Sequence, residues 1–280
     1  MVQHIIVPVD GSDASWRAAD TALALARRCD ASVDVAEVVF DQPDVAEAVA
    51  RLTTRLSERD TAGLTVATRV EIAPESVAQT VAALVEEQPD ATVVMASHGR
   101  GRSAALLGSV TEELLQRIFG PILVVGPRAT SPDFTGPVVA TVDGSDASES
   151  VLPLAAAWGI ELGVEPWIVE VTDPDVVVSP DLNESAYPAR LARKLGQESG
   201  HTVQFDVLHG RHVHDEVASF ADTLGASMVV ASTHGRTGMS RFVIGSTAAA
   251  FVRHAPCPVL LVRPPHLRDR ARGRVQRQEA

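Results

Sequence analysis

Two near-copies of one stretch decide the fold: IIVPVDGSDAS at Ile5–Ser15 and VVATVDGSDAS at Val138–Ser148. Each copy has the pattern of a short apolar strand, a turn at Asp-Gly-Ser, and the start of a helix that a serine can cap. The chain is therefore predicted to contain the same strand–turn–helix unit twice.

Three further landmarks repeat in the same order. VVMASHGRG returns as VVASTHGRT, LLGSV as VIGST, and GPILVVGP as CPVLLVRP. Chance similarity does not preserve such an order, so we predict a duplicated domain, with copies at 1–130 and 136–265. The join falls in the proline- and glycine-containing stretch Gly126–Pro137, a composition typical of linkers. Residues 266–280 are rich in arginine and lack an apolar period, which predicts a disordered tail.

Length and composition fit two globular domains with aliphatic cores. The 280 residues carry a formal net charge of −12, with 45% hydrophobic and 21% charged residues. This charge argues against general nucleic-acid binding, which requires a basic face. Two cysteines give no disulfide framework. Because we find no signal peptide and no run of about 20 apolar residues, we expect a cytoplasmic protein without membrane contact.

Strands alternate with helices in each half. In the first half we expect strands at Ile5–Val9, Val33–Val39, Thr65–Ile72 and in ATVVMAS and ILVVG, and helices at Ser15–Arg28, Val45–Arg59, Ser76–Glu87 and between the last two strands. Near-continuous valine and isoleucine runs indicate parallel strands covered on both faces. The predicted fold is α/β, with two tandem, doubly wound, parallel five-stranded sheets of Rossmann-like type.

Polar and glycine-rich residues follow the predicted strands, where ligands bind in open parallel sheets. Asp10 and Asp143 follow the first strands, and STHGRTGMSRFVIGS, from Ser232 to Ser246, follows the fourth strand of the second half. An aspartate opposite a glycine-rich loop at a helix start suits a nucleotide. The acid can bind ribose hydroxyls or a phosphate-bound metal, and backbone N–H groups can bind phosphate.

Each of these groups also has a purely structural interpretation. Asp10-Gly11-Ser12 fits a turn with a helix cap, and Ser109 with Glu112 fits an S-x-x-E capping box. The basic residues of the loops fit contacts to backbone or solvent: His98, His234, Arg100 and Arg236. Their occurrence together in both copies is what favours a ligand site.

With these residues, both halves resemble the universal stress protein domain, and the whole resembles its tandem-domain members over residues 1–265. The ATP-binding branch of that family has the motif G-x2-G-x9-G-(S/T) after the fourth strand. In the second half Gly235, nine residues and Gly245-Ser246 match it, with Ser232 in the place of the first glycine. The resemblance also implies a fold like that of the adenine nucleotide alpha hydrolases.

The first half departs further from the family motif. Ala96 takes the place of the first glycine, and only eight residues separate Gly99 from Gly108-Ser109. A small residue still allows close backbone approach, although not the left-handed conformations open to glycine. The shorter loop changes where the phosphate donors lie. We therefore predict nucleotide binding in the second half more strongly than in the first.

The resemblance implies a site for ATP or a related adenine nucleotide with Mg²⁺. Asp10 and Asp143 would lie near the ribose and phosphates and serve as metal ligands, and Val38 and Val171 would offer backbone bonds to adenine. The candidate nucleotide-binding residues are Asp10, Val38, Ala96, His98, Gly99, Gly108, Ser109 and Val110 in the first half and Asp143, Val171, Ser232, His234, Gly235, Arg236, Gly238, Gly245, Ser246 and Thr247 in the second.

Other motifs are not assigned a function. Gly99–Ala104 spells a dinucleotide fingerprint but follows the wrong strand, and the sole lysine, Lys194, follows no Walker loop. Cys257 fits a small buried residue. Because no cysteine is nearby and the equivalent loop contains Pro74-Glu75, we assign no zinc site to the neighbouring histidines: His209, His212 and His214.

The leading hypothesis is a stress-response protein that binds adenine nucleotide and uses occupancy as a signal. No activated nucleophile is evident, so slow ATP hydrolysis with Asp143 holding Mg²⁺ is the most activity we expect. The alternative is a nucleotide-free scaffold of the same fold. A hydrolase using Ser97, His98 and Asp10 is disfavoured, since adjacent residues on one loop rarely give triad geometry.

The resemblance also bears on assembly. In ATP-binding relatives the last strand pairs subunits, which implies that ILVVG and VLLVR face each other within this chain as an intramolecular pseudo-dimer. A homodimer and a regulatory protein partner stay open.

Overall fold

The computed structural model describes residues 2–73, 75–99, 107–118, 120–175, 184–234 and 244–264. The first half alternates five strands with four helices, in chain order β1 (His4–Val9), α1 (Asp13–Cys29), β2 (Ser32–Val39), α2 (Asp44–Ser57), β3 (Val66–Ile72), α3 (Val77–Glu87), β4 (Thr92–Ala96), α4 (Ser109–Arg117) and β5 (Ile122–Val125). Every predicted element of this half is present, with ends that move by a few residues.

The second half repeats the order with one helix divided. Its elements are β6 (Val138–Val142), α5 (Asp146–Glu149), α6 (Leu152–Leu162), β7 (Pro166–Thr172), α7 (Ala186–Ser199), β8 (Gln204–His209), α8 (Val213–Thr223), β9 (Met228–Ser232), α9 (Ser246–His254) and β10 (Val259–Val262). Pro153 lies at the start of α6 and has no N–H to bond the carbonyl of Glu149. The counterpart of α1 is therefore split into α5 and α6.

All ten strands form one mixed sheet in the order β3-β2-β1-β4-β5-β10-β9-β6-β7-β8. Pairings within each half are parallel, which confirms the predicted fold class. At the centre β5 pairs with β10 in antiparallel register, Leu123 opposite Leu260. This central seam, formed by β5 and β10, is the intramolecular pairing that the family resemblance implied.

The central seam reverses the strand direction between the halves. The carboxyl ends of β1, β2 and β4 therefore lie at the edge of the sheet where β6, β7 and β9 begin. Two sites at strand carboxyl ends thus belong to opposite edges of one sheet.

Apolar residues from both halves cover both faces of the sheet. Every residue of β4, β5 and β10 is buried, as strands covered on two faces require. Leu123 belongs to one buried cluster together with Trp158 of α6, and the next residue, Val124, belongs to another together with Phe251 of α9. The halves therefore share their cores across the central seam.

The linker between the halves is anchored at both ends. Phe134 is 0% exposed and has a φ of 58°, an uncommon backbone conformation for a residue with a side chain. Thr130 N donates to the carbonyl of Pro256 at 2.9 Å. The linker thus holds the two halves against each other.

Cys257 is a structural residue of the second half. Cys257 is buried, and burial raises the pKa of its thiol to about 12, in agreement with a small structural residue. Among the helices in the described part of the chain, none is long and apolar enough to cross a membrane. The predicted tail, 266–280, lies outside the described residues.

We expect Phe134→Ala to lower the free energy of unfolding by about 3–5 kcal/mol, because it empties a fully buried site. Phe205→Ala is the matched control, since that ring is 40% exposed on β8, and it should cost under about 1.5 kcal/mol. Urea denaturation measures both. Equal losses for the two variants would contradict the anchoring role of Phe134.

Candidate functional site

A crevice opens at the carboxyl edge of each half because the first strand is shorter than its neighbour. β1 ends at Val9, whereas β2 runs two register positions further, to Val39. β6 ends at Val142, and β7 likewise runs on to Thr172. We call these openings the first and second crevices.

Asp10 and Asp143 begin the turn after each shortened strand. Oδ1 of Asp10 accepts hydrogen bonds from the backbone N–H and the hydroxyl of Ser12 at 2.9 and 2.6 Å. Asp143 makes the same bonds with Ser145 at 3.0 and 2.6 Å. Both serines cap the following helix, so the turn-and-cap interpretation is confirmed. These bonds also fix each carboxylate at the rim of its crevice.

Gly99 lies against the second carboxylate oxygen of Asp10. A Cβ at position 99 would overlap Asp10 Oδ2, so a side chain there would displace the carboxylate. Glycine at this position brings the ends of β4 and β1 together.

Gly108 and Gly245 start the helices that follow the fourth strands. Gly108 N donates to the carbonyl of Ser97 at 2.7 Å, and Gly245 N donates to the carbonyl of Thr233 at 2.8 Å. A Cβ would stand 3.3 Å from the first carbonyl oxygen and 3.2 Å from the second, which leaves little room for a side chain. This shared contact fixes where α4 and α9 begin.

The capping-box interpretation of Ser109 and Glu112 is wrong. The N-cap of α4 is Gly108, and Ser109 is its first helical residue; Gly245 is likewise the N-cap of α9. The bond from Gly108 to Ser97 places the helix start one residue earlier than the box requires. Glycine has no side-chain oxygen for the first N–H groups, and such groups are typical ligands of anions.

A cavity of about 310 Å³ occupies the first crevice. It brings together every first-half candidate except Val38, namely Asp10, Ala96, His98, Gly99, Gly108, Ser109 and Val110. Val77 and Met95 complete its wall with apolar surface. Residues 235–243, in the corresponding segment of the second half, lie outside the described residues.

Val38 and Val171 point backbone carbonyls past the ends of the shortened strands. The carbonyl of Val39 accepts from Ala73 N at 2.8 Å, on the side of β3. Carbonyls alternate sides along a strand, so that of Val38 points to the side where β1 has ended. Gly210 N bonds the carbonyl of Thr172 at 3.0 Å, which gives Val171 the same orientation.

His98 and His234 make equivalent contacts with their neighbours. Ser97 Oγ lies 3.0 Å from His98 Nδ1, and Thr233 Oγ1 lies 3.0 Å from His234 Nδ1. In a Ser-His-Asp triad the serine contacts Nε2 and the aspartate contacts Nδ1. Ser97 occupies the nitrogen that the aspartate would need and is itself buried. The arrangement is therefore not that of the hydrolase considered from the sequence.

Four of the remaining candidate residues lie in the described part of the chain and three lie outside it. Ala96 and Ser232 end β4 and β9 and pair with β5 and β10, and Ser232 Oγ accepts from His234 N at 3.3 Å. Ser246 and Thr247 form the first turn of α9. Three candidates lie outside the described residues, as does Arg100: Gly235, Arg236 and Gly238.

Asp10 and Asp143 are the predicted metal ligands. Among the described residues, neither belongs to a group of three His, Cys, Asp or Glu side chains close enough to share an ion. A Mg²⁺ ion at either aspartate would need further oxygen ligands, which phosphates supply.

Sequence reasoning identified the serines only as helix caps and did not count them, or Thr111, among the residues that position the site. Ser12 and Ser145 orient the aspartates, and the hydroxyl of Thr111 bonds the carbonyl of Ala96 at 3.2 Å beneath the cavity. The serines stood in the repeated DGSDAS stretch, where identity in both copies was a usable signal. Thr111 gave none, because its contact forms only when α4 packs on β4.

Comparison of the sequence with known protein families gives two matches, one in each half of the chain. The profile of the universal stress protein family matches residues 1–126 and again 135–263. The chain belongs to the universal stress protein family. The two matches correspond to the two halves of the sheet, so this is a tandem-domain universal stress protein.

Curated relatives carry the same family name. A universal stress protein of Mycolicibacterium smegmatis is 33% identical over 218 residues, covering 73% of this chain and 71% of that protein. One from Mycobacterium tuberculosis is 33% identical over 180 residues and 61% of each chain. One from Methanocaldococcus jannaschii is 30% identical over 140 residues, covering 46% of this chain and 82% of the other.

Solved structures share the fold over nearly the whole chain. A functionally unknown protein from Pseudomonas aeruginosa has a TM-score of 0.68 at 19% identity, covering 96% of this chain and 95% of its own. A universal stress protein from Archaeoglobus fulgidus has a TM-score of 0.63 at 18% identity, covering 93% and 98%. Both likenesses concern the fold alone.

We expect Asp143→Ala to lower the free energy of unfolding by about 1–3 kcal/mol, because both donors of Ser145 lose their acceptor. Asp143→Asn keeps an Oδ1 acceptor and should cost less than about 1 kcal/mol. Urea denaturation distinguishes the variants. The turn would not depend on Asp143 if the alanine variant were as stable as the asparagine variant.

Proposed function

We propose that this universal stress protein binds ATP or a related adenine nucleotide in one or both crevices and acts as a nucleotide-dependent regulator. The observation that supports this most is the pairing of a glycine-capped helix start with an aspartate across a cavity. The first cavity, at about 310 Å³, falls at the small end of the range for ligand sites.

The helix starts would bind the phosphates. In both halves a glycine N-cap bonds the strand-end carbonyl at 2.7 or 2.8 Å, which sets the first turn of α4 or α9 at the rim. N–H groups and the positive end of the helix dipole favour an anion there. The hydroxyls of Ser109 and Ser246, at the first helical positions, can add hydrogen bonds.

The strand ends would bind the nucleoside. The carbonyls of Val38 and Val171 point past the shortened strands and can accept a hydrogen bond from the exocyclic amino group of adenine. Val77 and Met95 offer apolar surface in the first cavity. Asp10 and Asp143 can accept bonds from ribose hydroxyls or bind a phosphate-bound Mg²⁺.

The net charge of −12 does not oppose this proposal. Phosphates respond to the local field of helix ends and bound cations more than to total charge. Mg²⁺ would offset the negative charge that Asp10 or Asp143 adds beside a triphosphate.

The test is thermal unfolding with and without Mg-ATP at millimolar concentration. At ATP one hundred times the Kd, binding stabilises by about 2.7 kcal/mol, which raises the Tm by several degrees. The double variant Asp10→Asn/Asp143→Asn keeps both turns and should lose most of this shift. Gly99→Ala should weaken nucleotide binding in the first crevice and leave binding in the second crevice unchanged, because the added Cβ displaces the Asp10 carboxylate.

Gly120→Ala is the matched control for the glycine variant. Its Cβ would meet only Ile118 Cγ2, at 3.7 Å, so the ATP-induced shift should equal that of the unaltered chain. A chain without any shift would instead favour the nucleotide-free scaffold. A shift that survives in the double variant would place the ligand elsewhere.

A further inference from the structure

Three side chains from two helices of the second half form a compact cluster. His214 and Asp215 lie in the first turn of α8, and His254 is the last residue of α9. One possible ligand atom from each lies within 4.8 Å of the other two. We call His214, Asp215 and His254 the His–Asp cluster.

The distances within the His–Asp cluster approach those of a zinc site. Asp215 Oδ1 lies 3.7 Å from His214 Nε2 and 3.6 Å from His254 Nδ1. Zinc bonds of about 2.0–2.2 Å at tetrahedral angles separate neighbouring ligand atoms by about 3.4 Å. Both nitrogen-to-oxygen distances are thus within a few tenths of an ångström of that value, and the two nitrogens lie within 4.8 Å of each other, so rotation of the imidazole rings can bring all three atoms onto one ion.

His254 supplies an independent observation. Its Nδ1 is buried and has no hydrogen-bond partner among the described residues, a state that costs free energy unless something binds the atom. A metal ion bound at this nitrogen would satisfy it, because an imidazole nitrogen is a typical zinc ligand.

The His–Asp cluster is separate from the crevices. None of its residues corresponds in the repeat to a residue that lines the first cavity. Its counterparts in the first half are Ala78, Gln79 and Arg117, which cannot form such a site. The cluster thus belongs to the second half alone.

We propose that His214, Asp215 and His254 bind one Zn²⁺ ion and join α8 to α9. Two imidazole nitrogens and one carboxylate oxygen suit this ion, and three protein ligands leave a fourth position for water or an external ligand. The side chains are 29%, 55% and 30% exposed, so the ion can enter from solvent. Asp215 supplies a negative charge that favours a cation beside His254.

The sequence could not indicate this site from spacing alone. From the sequence we assigned no zinc site to His209, His212 and His214, and His209 does contact Thr172 instead, at 3.0 Å. The proposed site departs from that assignment at His214 alone. The third ligand, His254, comes from a distant helix. Only the packing of α8 against α9 brings it to His214.

The experiment is calorimetric titration of the untagged, chelator-treated full chain with Zn²⁺, with bound zinc counted by mass spectrometry after dialysis. We expect one equivalent per chain and a rise in Tm on binding. His254→Ala and Asp215→Asn should each weaken binding by at least about tenfold, since loss of even an outer partner costs 10–100-fold.

His201→Ala is the matched control. This exposed histidine bonds locally to Ser199, so its removal should leave zinc affinity unchanged. Circular dichroism of each variant in zinc-free buffer verifies folding. Absence of one-equivalent binding in the unaltered chain would overturn the proposal, and so would equal affinity in His201→Ala and the folded Asp215→Asn.

Discussion

Antiparallel pairing of β5 with β10 is the contact on which the molecule depends. Each strand has four residues, all buried, and together they turn two five-stranded sheets into one. Leu123 and Leu260 face each other in this register, and buried clusters on both faces draw residues from both halves. A chain that lost this pairing would expose two apolar sheet edges, which are sites of aggregation.

The same seam determines the functional geometry. Because strand direction reverses across it, the first and second crevices open at opposite edges of the sheet. Each crevice is built within one half, from a shortened first strand, an aspartate turn and a glycine-capped helix. The two crevices can therefore diverge independently. They already differ in loop length, with eight residues between the glycines of one and nine in the other.

Much of the fold could be predicted from repetition and alternation. Buried strands appear as valine and isoleucine runs whatever their partners, and a repeated pattern identifies each element twice. The exact ends of the helices were harder to predict, because tertiary contacts compete with local sequence signals. Ser109 had the spacing of a capping box, but the tertiary bond from Gly108 to Ser97 decided the helix start. Pro153 split one helix because its ring lacks an N–H, a detail that the repeat obscured.

The candidate site was predicted in part. Asp10 and the glycines could be named as candidates because small and acidic residues at strand ends have a recognised chemistry. The orienting serines and Thr111 depend on contacts between elements, and so does the meeting of His254 with His214. Spacing in sequence has no information about such contacts until the helices are packed.

The central claim is that the carboxyl edge of each half forms a nucleotide crevice. A crystal structure of the full chain with a non-hydrolysable ATP analogue and Mg²⁺ tests it most directly. The account predicts phosphate oxygens at the first turn of α9 or α4 and the adenine amino group at the carbonyl of Val171 or Val38. An analogue bound at the central seam or on another face of the sheet would contradict it.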